Sequence, residues 1–62
     1  MKHVIVKRKI PVEITTKKGE KITGLLCDIS HGVVILENCR KGLKFHEEFI
    51  IPLTEVRALE IH

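Results

Sequence analysis

An all-β domain is what this sequence predicts, on three observations: β-branched residues crowd its apolar positions, runs of helix-forming residues are missing, and Gly, Asn and Lys cluster at short intervals. Pro11 opens the first strand, over 11 to 18, in which Val12, Ile14 and Thr16 alternate with Glu13, Thr15 and Lys17. Lys18-Gly19-Glu20 is a hairpin connection, with Gly19 suited to a positive φ. The second strand spans about 20 to 30 and is apolar on both faces, so Gly24 inside it marks a bend or bulge. Ser30-His31-Gly32 turns the chain, Val33 to Glu37 forms a short buried strand, and Asn38 to Gly42 reads as a polar loop. Strands over Leu43 to Ile51 and Glu55 to Ile61 follow, separated at Pro52-Leu53-Thr54. Met1 to Ile10 carries Val4, Ile5 and Val6 and is expected to be an extra strand or an ordered arm.

The chain has 62 residues, enough for one domain. At this size a fold buries only about 60% of the surface its unfolded chain exposes, so help from outside the core is expected. Two cysteines and four histidines show no metal-ligand spacing, and neither a metal nor any cofactor is expected. With no secretory segment recognised ahead of Cys27 and Cys39, free thiols and the cytoplasm are the plainer expectation. No apolar run approaches the roughly 18 residues that cross a bilayer as a helix, so no membrane partner is expected. A partner chain is the remaining helper.

The formal charge of +3 favours polyanionic partners. It is concentrated in three blocks: Lys7, Arg8 and Lys9; Lys17 and Lys18; and Arg40, Lys41 and Lys44. Catalysis finds no foothold. Cys27 and His31 lie about 13 Å apart along an extended strand, Glu47 and Glu48 point to opposite faces, and no phosphate-binding glycine loop precedes a helix.

The string Lys9 to Asn38, KIPVEITTKKGEKITGLLCDISHGVVILEN, resembles the first Sm motif in its Hfq-like form. Pro11-Val12, Gly19, Gly24, Val33 to Leu36 and Asn38 fall in register with that motif. Ile51-Pro52-Leu53-Thr54-Glu55-Val56-Arg57-Ala58-Leu59 is similar to the general second Sm motif. The resemblance implies a small, strongly bent five-stranded antiparallel barrel. It also implies that the fourth strand of one subunit pairs with the fifth of the next to close a homo-oligomeric ring, with Phe49, Ile50, Ile51, Val56, Ala58 and Leu59 as the apolar seam.

The chain departs from the family at several positions. Ser30 replaces its loop Asp, Gly32 its base-stacking residue, Val34 the Asn of the eukaryotic pattern, and Pro52-Leu53 the Lys-His or Arg-Gly pair of the uridine pocket; the helix that precedes the family's first strand is expected to be absent or replaced by a strand. RNA contacts are therefore expected elsewhere: at Lys7, Arg8 and Lys9, near the family's basic lateral rim, and at Lys21 with Thr15, Gly19 and Thr23 on the distal face. His31 either stacks on a base or donates to a phosphate, or is an exposed turn residue. Three readings stay open: a ring that binds single-stranded RNA as a chaperone or scaffold, a protein-interaction or structural barrel indifferent to nucleic acid, and one subunit of a mixed assembly.

Overall fold

The computed structural model describes residues 9–62. Five strands, β1 (Ile10–Thr16), β2 (Lys21–Ser30), β3 (Val33–Lys41), β4 (Lys44–Pro52) and β5 (Val56–Ile61), form one antiparallel sheet in the order β4-β3-β2-β1-β5. A single 3-10 turn, Leu53–Glu55, joins β4 to β5. Met1 to Arg8, and with them most of the expected N-terminal arm, lie outside the described residues.

Turn chemistry explains the hairpins. Thr16 N–H donates to the Glu20 carbonyl, Gly19 N–H donates to the Thr16 carbonyl, and Gly19 takes the positive φ of 89° that closes this loop. Thr16 Oγ1 also accepts from Glu20 N–H at 3.2 Å, satisfying a hydroxyl that is buried. Between the paired Ser30 and Val33, His31 and Gly32 both have positive φ, 53° and 76°, the signature of a type I′ turn. Gly42, at φ 64°, leads the two-residue turn between the paired Lys41 and Lys44.

The polar loop expected at Asn38 to Gly42 is not a loop. β3 continues to Lys41, because Asn38 adopts φ 50° and forms a bulge inside the strand. Opposite β2, Thr23 pairs with Arg40 and Leu25 with Glu37, so β3 carries an extra residue there; between Leu26 and Asp28 the extra residue is on β2, at Cys27. The bulge also returns Cys39 to the core and turns Arg40 outward.

The connection between β4 and β5 requires a curled sheet. In a flat sheet these edge strands would lie four spacings apart, roughly 19 Å. The chain from Pro52 to Val56 reaches at most about 14 Å when fully extended, and here it is wound into a 3-10 turn. No ladder joins β4 to β5 among the described residues, so the sheet is curved but not closed. A cleft lined by Thr16, Ile22, Phe49, Ile51 and Glu55 lies between β4 and the β1–β2 hairpin, beside the 3-10 turn.

Val12, Ile14, Ile22, Val34, Leu36, Cys39 and Ile51 fill the concave side, with Leu26, Phe49, Val56 and Leu59 packed around them. Each aliphatic side chain fully buried contributes about 1.5 to 3 kcal/mol relative to exposure.

Candidate nucleic-acid interface

The ladders place the candidate distal-face residues together. Thr15 faces Lys21 across β1 and β2, and Thr23, two residues beyond Lys21 on the same face, faces Glu13 on one side and Arg40 on the other. Arg40 in turn faces Phe45 on β4. Lys21, Thr23, Arg40 and Phe45 are exposed and Thr15 is half-buried, so a continuous polar and basic strip crosses four strands. Gly19 stands outside it, at the end of the β1–β2 turn.

Arg40 and Phe45 were not among the contact residues expected from sequence. The αL bulge at Asn38 is what carries Arg40 from a supposed loop into the sheet, and no period-2 pattern announces it. The basic block at 40, 41 and 44 was the available signal.

The cations divide by their partners. Lys9 Nζ donates to Glu37 Oε1 at 2.6 Å, and Lys41 Nζ lies 3.4 Å from Glu20 Oε1. The hydrogen bond and charge of Glu37 raise the Lys9 pKa; those of Lys9 hold the Glu37 carboxyl below its ordinary range. Lys9 therefore meets any phosphate only in competition with Glu37. Lys21, Arg40 and Lys44 have no acidic group within 4.0 Å among the described residues. Lys7 and Arg8, the rest of the expected rim, lie outside the described residues.

His31 is exposed at the tip of the β2–β3 turn. Leu53 N–H donates to the Gly32 carbonyl at 2.9 Å, so this turn and the 3-10 turn form one end of the sheet. The structure thus brings the loop at 30 to 32 against Pro52-Leu53, two of the segments in which the sequence differs from the Sm pattern.

The expected seam residues separate into two sets. Ile51 belongs to the core, with Phe49, Val56 and Leu59 packed against it, while Ile50 and Ala58 are exposed. Phe49 also stacks on His46, with ring centroids 5.0 Å apart, and Lys41 Nζ lies 6.0 Å from its ring. β4 and β5 each keep one edge without a strand partner among the described residues.

Cys27 and Cys39 are free thiols, and burial raises the pKa of each. Glu13, Glu60 and His62 converge on the β1–β5 side, each offering one ligand atom within 4.8 Å of the others, though their spacing along the chain offered no hint of it. His62 Nε2 lies 3.5 Å from Glu13 Oε1, an ion pair when the imidazole is protonated, and Glu60 joins the group as the register partner of Glu13. No helix among the described residues is long and apolar enough to cross a membrane. No protein-family model matches the chain, and no curated protein matches it.

Proposed function

We propose that this chain is an Sm-like protomer that assembles with copies of itself through β4 and β5 and binds single-stranded RNA, as a chaperone or scaffold in the cytoplasm. The observation carrying this reading is the sheet order β4-β3-β2-β1-β5, which among the described residues leaves one edge free on each of the two strands that the Sm resemblance assigns to the subunit seam. Curvature from the paired bulges near Gly24 and Cys27 supports an Sm-like barrel, whose remaining gap a neighbouring copy would cover. Repetition around a ring multiplies the strip of Thr15, Lys21, Thr23 and Arg40 and raises its effective charge toward phosphate. Free thiols support a reducing compartment.

The experiment pairs native mass measurement with titration of short oligo(U) and oligo(A) at two salt concentrations. A closed oligomer whose RNA affinity falls steeply with salt is the expected result. An oligomer that ignores RNA at low salt points to the second reading, a protein-interaction barrel. That reading is favoured by the pairing of Lys9 with Glu37 and of Lys41 with Glu20, which commits cations to contacts within the chain. Failure to associate at all points to a mixed assembly.

A further inference from the structure

Resting on the polynucleotide reading, and adding a site to it, we infer that Phe45 is a stacking platform for one base of a single-stranded polynucleotide, with Arg40 holding a flanking phosphate. The chain has two Phe, no Trp and no Tyr. Phe49 is engaged with the core and with His46. Phe45 is 56% exposed, on the strand that follows the Gly42-Leu43 turn.

Its surroundings distinguish it from a stray surface apolar group. Arg40 is its register partner, so the two side chains leave the sheet on the same face at one strand spacing. Thr23, the next residue along that row, offers a hydroxyl, whereas Lys44, which directly precedes Phe45, leaves the opposite face of β4. Arg40 has no acidic partner within 4.0 Å among the described residues, in contrast to Lys9 and Lys41. Glu13 bounds the row beyond Thr23, and Glu47 lies further along β4.

An aromatic face alone fits protein or lipid, and cations alone fit any phosphate. An aromatic face with an unpaired cation one spacing away fits a strand whose bases are unstacked and whose phosphates alternate with them. A duplex, with its bases stacked inside, has no use for Phe45. RNA and single-stranded DNA share this chemistry, and the test separates them.

The test uses the whole chain with Phe45→Trp, which introduces its sole indole. Titration with oligo(rU) and oligo(dT) is expected to quench that fluorescence saturably, with the RNA preferred if a ribose hydroxyl is read. In the otherwise unaltered chain, Phe45→Leu keeps an apolar side chain but removes the π face. It is expected to weaken oligonucleotide binding by roughly five- to a hundredfold, the equivalent of one lost stack. Arg40→Gln should reduce the salt slope, and Leu43→Ala should leave affinity unchanged; circular dichroism checks that each variant folds.

Unaltered affinity in both Phe45→Leu and Arg40→Gln, with the parent chain still binding, would overturn this site and leave RNA binding standing. No binding by the parent chain at low salt would overturn both. A blue shift of the indole emission of Phe45→Trp on phosphatidylserine vesicles, without quenching by oligonucleotides, would reassign the hairpin to a lipid surface. A change in oligomer mass in Phe45→Leu would reassign it to a contact between copies.

Discussion

A Cβ on residue 24 would stand 2.6 Å from the Cβ of Cys39 and 3.0 Å from its Cα. Gly24 is required because β2 and β3 come this close where β3 bulges at Asn38. Gly24→Ala forces two strands apart at the centre of the core, and the expected cost is about 1 to 3 kcal/mol, the range for overpacking. A urea titration followed by circular dichroism measures it; a midpoint equal to the parent's would mean that the close approach is not obligatory.

Lys9 and Glu37 predict a pH dependence of stability. The Glu37 pKa is lowered in the fold, so its contribution is present above the ordinary value of 4.5 and is lost as pH falls through the depressed folded value. The Lys9 pKa is raised, so its contribution is present below the ordinary 10.5 and is lost as pH rises through the raised folded value. The difference in thermal midpoint between the parent chain and Glu37→Gln should therefore be positive at neutral pH and vanish in acid. Both groups are well exposed, and the difference should also shrink in high salt. A difference that persists below the folded Glu37 pKa would contradict the pairing.

The thiols should react in order. Cys27 is half-buried and Cys39 fully buried, and burial raises the pKa of both. Iodoacetamide at neutral pH is expected to label Cys27 slowly and Cys39 only in denaturant, read by mass spectrometry. Labelling of Cys39 at the rate of Cys27 in the folded protein would place Cys39 outside the core.

Glu13 and Glu60 face one another across β1 and β5, a like-charge pair that opposes the ladder. Glu60→Lys replaces it with an opposite-charge pair and is expected to stabilise the fold by about 0.2 to 1 kcal/mol, measured by urea titration. Loss of stability in this variant would mean that the imidazole of His62 already balances both carboxylates.

Much of the strand plan was legible because turn chemistry marks it. Gly19 required its positive φ, Pro52 ends β4, and Gly24 did mark an irregularity in the β2–β3 ladder, although the extra residue there is on β3. The extension of β3 was hidden because Asn38-Cys39-Arg40-Lys41 is too polar to read as strand, and only an αL Asn inside the ladder keeps it paired. That concealed bulge also hid Arg40 and its register with Phe45, the part of the site that departs furthest from the expected contacts. Lys9 was expected at a basic rim; its partner Glu37 is 28 residues away and reaches it only through the pairing of β1 with β2 and of β2 with β3. Sheet order is likewise a tertiary fact, although the short β4–β5 connection already demanded curvature once β4 and β5 were edges.

If copies of the chain complete the free edges of β4 and β5, exposed apolar residues on those strands are the sensitive positions. Ile50 and Ile61 are 56% and 69% exposed, so Ile50→Glu and Ile61→Glu should spare the fold and dissociate the assembly. An unchanged oligomer in both variants would move the seam elsewhere. Whether the parent chain assembles at all is decided by sedimentation velocity over a wide concentration range. One discrete species at a fixed multiple of the 7.1 kDa protomer, stable to dilution, is the predicted result. A 7.1 kDa particle at every concentration would contradict it.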